Sequence, residues 1–146
     1  MQKKILVVDD DPDQREVICS SLKEAGFDIV TATNGIEGLK KARSVSPDLI
    51  VLDVMMPEMD GFAVCVTLRE DDATASIPIL MLTGLCSYIS QLTGFESGAT
   101  DYLVKPFEPE QLVSKVEALL CQPSVSQAEA ERRAGALREF SKPSQA

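Results

Sequence analysis

The stretch PDLIVLDVMMPEMDG, residues 47–61, decides how the rest of the chain is read. Leu49 to Leu52 is an unbroken apolar run, the pattern of a strand covered on both faces of a parallel sheet. Asp53 follows at once, and Pro57 with Asp60-Gly61 then breaks the chain into a loop. A carboxylate so placed lies at the mouth of a sheet, where α/β proteins bind and react. Asp is also a common turn former, so two readings of Asp53 stay open at this point, a reactive acid and the start of a turn.

Upstream, Ile5 to Val8 is a short apolar β-type run. Asp11-Pro12-Asp13-Gln14 reads as a helix start, with Asp11 as N-cap, Pro12 at the first helical position and Gln14 closing a capping box. Val17, Ile18, Leu22 and Ala25 form the expected buried stripe, and Gly26 ends the helix. Phe27 to Ala32 predicts a second strand, Asn34 to Glu37 a second capping box, and Ile36 with Leu39 opens a helix reaching about Ser46. Downstream of Gly61, a helix from Phe62 to about Glu70 is expected to bury Phe62, Cys65, Val66 and Leu68. Ile77 to Leu82 is a fourth strand, Leu85 to Phe95 a helix without a charged residue, and Thr100 to Val104 a fifth strand. Glu108-Pro109-Glu110-Gln111 caps a last helix with Leu112, Val116, Leu119 and Leu120 facing inward. Strict alternation of this kind means right-handed crossovers, hence an α/β fold with a doubly wound, five-stranded parallel sheet.

Bulk properties remove several classes of function. The formal charge of -9 is concentrated in residues 1–121, which carry 10 basic and 20 acidic side chains, so attraction to a nucleic-acid backbone is not expected. No apolar run approaches the length of a membrane span, and MQKKILVVDDD lacks the form of a signal peptide, so a cytoplasmic protein without membrane contact is expected. Cys19, Cys65, Cys86 and Cys121 form no CxxC pair and read as buried or half-buried thiols. The absence of histidine excludes Ser-His and Cys-His catalysis, so any phosphohistidine must belong to a partner.

Asp9 and Asp10 follow the first strand, Asp53 the third, Thr83 the fourth and Lys105 the fifth. In a doubly wound sheet these ends share one edge. Carboxylates crowded there repel, and a hard divalent cation with oxygen ligands relieves them, Mg²⁺ being usual beside phosphate. Such a site can accept a phosphoryl group on Asp53, with Lys105 neutralising oxygens and Thr83 donating a hydrogen bond.

With ILVVDDDP at 5–12, PDLIVLDVMMPEMDGF at 47–62, IPILMLTG at 77–84 and GATDYLVKPF at 98–107 in order, the chain resembles the response-regulator receiver domain of two-component signalling. The resemblance covers about residues 3–121 and implies a flavodoxin-like (βα)5 architecture with strand order 2-1-3-4-5. It implies that Asp53 is the phosphoacceptor for a sensor histidine kinase or a His-phosphotransfer protein, in a switch that releases its phosphoryl group slowly and is no turnover enzyme. Mg²⁺ or Mn²⁺ would be held by Asp10, Asp53 and the Met55 backbone carbonyl, with Asp9 acting through water. Lys105, Thr83 and the backbone N–H groups of Val54 and Gly84 would contact the phosphoryl oxygens, and the Lys105-Pro106 peptide would be cis. Thr83 and Tyr102 would form a switch pair, Tyr102 being otherwise a half-buried strand residue.

Two alternatives address the same residues. Asp9 and Asp11 form the DxD of a Mg²⁺-dependent haloacid-dehalogenase-type phosphatase, but Asp13 departs from that pattern and Asp53 is left unexplained. A receiver-like scaffold that is never phosphorylated would have no need of the full acidic set. The uncharged stretch Leu85–Phe95, with the fifth strand and last helix, is expected to form a homodimer or effector surface. Residues 122–146, with helical spacing over about 126–140, read as a linker or C-terminal tail without an independent domain, so a stand-alone receiver and part of a longer regulator are both open.

Overall fold

A computed structural model describes residues 2–84 and 96–121. The helix expected over 85–95, Cys86 and the segment 122–146 lie outside them. Five strands, β1 (Lys4–Val8), β2 (Asp28–Ala32), β3 (Leu49–Asp53), β4 (Ile79–Thr83) and β5 (Asp101–Val104), form one sheet in the order β2-β1-β3-β4-β5. Every neighbouring pair is parallel. The described helices are α1 (Pro12–Glu24), α2 (Gly35–Val45), α3 (Gly61–Glu70) and α4 (Pro109–Leu120).

The unbroken apolar runs of β1, β3 and β4 supply both faces of the core, because successive side chains alternate across the sheet. Leu6, Val8, Ile50, Leu52, Ile79 and Met81 pack with Ala42 of α2 and with Val64, Cys65 and Leu68 of α3. On the other face, Ile5, Val7, Leu49, Val51, Leu80 and Leu82 meet Ile18, Cys19 and Leu22 of α1 and Leu112, Val116 and Leu119 of α4. Each fully buried Leu or Ile contributes roughly 1.5–3 kcal/mol relative to exposure.

Asp11, Asn34 and Glu108 stand at helix starts as expected from sequence, and Asp60, read there only as part of a loop, caps α3. Asp11 Oδ1 accepts from the Asp13 N–H at 3.0 Å, Asn34 Oδ1 from the Glu37 N–H at 2.8 Å and Asp60 Oδ1 from the Ala63 N–H at 2.9 Å. The Glu108 N–H donates to Gln111 Oε1 at 2.7 Å. Glu37, however, accepts from Thr33 Oγ1 at 2.8 Å rather than closing a box on Asn34. Gly26 leaves α1 with φ +98°, the left-handed conformation that glycine adopts without strain.

The inward faces of the helices differ from expectation at several positions. Val17 is 55% exposed and Ala25 is exposed, while Cys19 takes their place in the core of α1. On α3, Val64 is buried and Val66 is 41% exposed. On α2, Ile36 is exposed, and the small residues Gly35, Gly38 and Ala42 face inward. A Cβ on Gly38 would stand 3.0 Å from the Val8 methyls, so any side chain there would need Val8 to give by a few tenths of an ångström. Cys121 is exposed rather than buried or half-buried.

Arg69, near the end of α3, was not anticipated as a structural residue. Its Nε donates to Gly98 O at 2.7 Å, Nη1 to Ala75 O at 2.9 Å and Ile77 O at 2.7 Å, and Nη2 to Thr100 Oγ1 at 3.3 Å. The guanidinium thereby joins the segments leading into β4 and β5. Burial pushes its pKa down from the ordinary arginine value. Arg69→Lys keeps a cation but loses the planar fork, and is expected to cost about 1–2 kcal/mol in urea unfolding by stranding buried carbonyls.

Candidate functional site

Parallel pairing in register delivers the ends of β1, β3, β4 and β5 to one edge. Val8 lies beside Leu52, Asp53 beside Leu82, and Thr83 beside Val104. Asp9 and Asp10 follow β1, Asp53 ends β3, and Lys105 follows β5 with its N–H donating to Thr83 O at 2.7 Å. The structure thus brings Asp9, Asp10, Asp53 and Lys105 together.

Lys105 Nζ stands 2.7 Å from Asp53 Oδ1, an ion pair in which the carboxylate is almost fully buried and the lysine partly so. Carboxylate oxygens of Asp9, Asp10 and Asp53 lie within 4.8 Å of one another. Three acids against one lysine leave the cluster at -2, a donor set of oxygens suited to a hard divalent cation. Asp9 is fully buried, and its pKa is raised to about 6, first by desolvation and further by the neighbouring Asp53. The Asp11 N–H, the Gln14 amide and Lys105 act in the opposite direction.

Gln14 does not close the capping box expected of it. Its Nε2 donates to Asp9 Oδ2 at 2.6 Å, while the Asp11 N–H, the partner a capping box would use, donates to Asp9 Oδ1 at 3.0 Å. A buried carboxylate is the stronger acceptor, so both donors turn to it. A donor-bearing side chain one turn after an acidic strand end was the only sequence signal of this.

The loop from Val54 to Asp60 carries a second difference. The Val54 N–H, expected to face a phosphoryl group, donates to Leu82 O at 3.0 Å and is committed to the sheet. The Met55 N–H instead approaches Asp53 Oδ1, at 3.4 Å. Met55 itself is 62% exposed at the rim. Thr83 is buried at the end of β4, and Tyr102 is half-buried against the face that contains Met81. The pairing of Met81 with Tyr102 and of Thr83 with Val104 puts Thr83 and Tyr102 on the same side of adjacent strands. A Cβ added to Gly84 would meet no described atom within 4 Å, and the Lys105-Pro106 peptide is cis.

Gly61 holds the floor of this loop. Its N–H donates to Val54 O at 3.0 Å, and a Cβ built there would overlap the Asp53 carbonyl oxygen and lie 2.8 Å from Val54 Cα. The obstacle is backbone, which cannot rotate away. Gly61→Ala is therefore expected to cost about 2 kcal/mol in thermal or urea unfolding, because the backbone of Asp53 and Val54 must shift to admit the methyl group.

The model of the response regulator receiver domain matches residues 5–117. The chain is 48% identical over 117 residues to the Synechocystis DNA-binding dual master transcriptional regulator RpaA, covering 80% of this chain and 48% of that protein. It is 46% identical over 120 residues to the Bacillus subtilis alkaline phosphatase synthesis transcriptional regulatory protein PhoP, covering 82% and 49%. It therefore spans about half the length of these curated relatives. Among solved structures, the Vibrio cholerae chemotaxis protein CheY4 superposes with a TM-score of 0.78 at 38% identity, over 81% of this chain and 98% of that one. The receiver domain of a Francisella response regulator gives a TM-score of 0.77 at 34% identity, over 82% and 98%. No described helix is long and apolar enough to cross a membrane. The sheet order, the acidic edge and these matches agree that the chain belongs to the response regulator receiver domain family of two-component signalling.

Proposed function

We propose that this domain is a phosphorylation-dependent switch in which Asp53 takes a phosphoryl group from the phosphohistidine of a histidine kinase or His-phosphotransfer protein. The observation that carries this reading is the Lys105–Asp53 ion pair at 2.7 Å, set beside two further carboxylates on the edge where strands end. An Asp53 carboxylate oxygen attacks phosphorus and forms the mixed anhydride. The P–N bond breaks, and its electron pair leaves with the partner's imidazole. Lys105 then turns from the carboxylate to the phosphoryl oxygens, Thr83 donates its hydroxyl to them, and the Met55 and Gly84 N–H groups face the same oxygens.

Asp10, Asp53 and the Met55 carbonyl would hold Mg²⁺ or Mn²⁺, with Asp9 reached through water, and the cation would supply charge neutralisation at the oxygens. Thr83 and Tyr102, diagonal to each other on the same side of β4 and β5, would carry the change to the face of β5 and α4, where effector or homodimer contact would be made. Residues 1–121 would be the receiver and 122–146 a linker or tail, in a cytoplasmic protein whose own receiver makes no nucleic-acid contact.

In the phosphatase alternative the nucleophile would be Asp9. That carboxylate is fully buried and accepts hydrogen bonds on both oxygens, whereas Asp53 is engaged by the lysine. Incubation with acetyl phosphate and Mg²⁺ tests the choice. One phosphoryl group per chain, mapped to Asp53 by mass spectrometry after borohydride trapping, is expected. Continuous phosphate release without an Asp53 adduct would overturn it.

A further inference from the structure

Asp9 is gripped at every polar atom. Its N–H donates to Ala32 O at 3.1 Å, its carbonyl accepts from Arg15 Nη1 at 2.8 Å, Oδ1 accepts from the Asp11 N–H and Oδ2 from Gln14 Nε2 at 2.6 Å. Of these donors, Gln14 is the one side chain that touches the carboxylate itself. Each carboxylate oxygen has two lone-pair sites, so each keeps one for a cation or its water shell. A neutral amide suits this place. Lysine there would neutralise Asp9 and repel the cation, glutamate would repel Asp9, and an apolar side chain could pack without orienting it.

We infer that Gln14 is a positioning residue for divalent-cation binding, holding the Asp9 carboxylate in the orientation in which it serves the Asp10–Asp53 pair. The inference rests on the reading of Asp9, Asp10 and Asp53 as the cation site. Partners that orient a metal ligand from behind typically change metal affinity by about 10–100-fold when removed. Gln14 is half-buried on the first turn of α1, where α1 is already capped by Asp11, so its replacement leaves the helix start in place.

The test is a titration with Mn²⁺ alone, followed by loss of the free-ion electron paramagnetic resonance signal, at neutral pH and well below melting. Wild type, Gln14→Met, Gln14→Ala and Asp53→Asn are compared, with melting in chelator measured separately. Both Gln14 variants are expected to raise the dissociation constant about tenfold with an unchanged circular dichroism spectrum. Should Asp53→Asn weaken binding while both Gln14 variants keep the wild-type constant, the cation site stands and the role of Gln14 is overturned. A lower metal-free melting temperature with unchanged affinity likewise identifies Gln14 as merely structural. If wild type leaves the signal untouched, or Asp53→Asn binds as wild type does, the cation site falls and the inference with it.

Discussion

Asp53→Asn abolishes phosphoryl incorporation from acetyl phosphate and from a phosphorylated partner while leaving the fold intact. The loss is complete because no other carboxylate at the edge combines its position with the lysine contact. Asp9 is fully buried and hydrogen-bonded on both oxygens, Asp10 is exposed, and the ion pair with Lys105 at 2.7 Å is the one Asp53 makes. The fold survives because the substitution lowers a repulsion. With three carboxylates and one lysine the cluster carries -2, and Asn at position 53 brings it to -1. The amide oxygen can still accept from Lys105 and from the Met55 N–H, so no buried donor is stranded. Labelling that persists at the wild-type stoichiometry would refute the assignment, and a collapsed circular dichroism spectrum would show that Asp53 is needed for folding instead.

How far the sequence could be read follows from which physical signal each residue depends on. Strands β1, β3 and β4 were legible because both faces are buried, so the runs at 5–8, 49–52 and 79–82 need no choice of face. The convergence of Asp9, Asp10, Asp53 and Lys105 was legible for a related reason, since parallel alternation puts every strand end on one edge. The helices were less so. Residues two apart on a helix differ by about 200°, so Val17 against Cys19, or Val66 against Val64, is settled by which face the helix turns to the sheet. Hydrogen-bond partners were least legible, because they depend on what tertiary structure places nearby. Gln14 turned from its helix to Asp9, the Val54 N–H was taken by Leu82, and Arg69 found its acceptors in segments up to 31 positions away. Gly61 has the same origin, as its need for hydrogen in place of Cβ arises only when the loop closes over the Asp53 backbone.

Asp9→Asn stabilises the metal-free domain at neutral pH by about 3 kcal/mol and removes most of its stabilisation by Mg²⁺. Burial raises the Asp9 pKa from 3.8 to about 6 in the folded state, so between those values the folded protein holds a proton that the unfolded chain has released. Folding stability of the metal-free protein therefore falls as pH rises through that window, and the penalty is fully present above it. Asn carries no such penalty, and the Gln14 amide can turn its oxygen toward the new amide group and keep the hydrogen bond. A bound divalent cation favours ionised Asp9, so Mg²⁺ should raise the wild-type melting temperature strongly at about pH 7.5 and weakly at about pH 5. The two variables thus separate the charge of Asp9 from its shape. Melting curves of wild type and Asp9→Asn at both pH values, with chelator or Mg²⁺, measure them together. A variant less stable than wild type in chelator at about pH 7.5 would mean that the buried carboxylate earns its place through its hydrogen bonds to Asp11 and Gln14 rather than through cation binding.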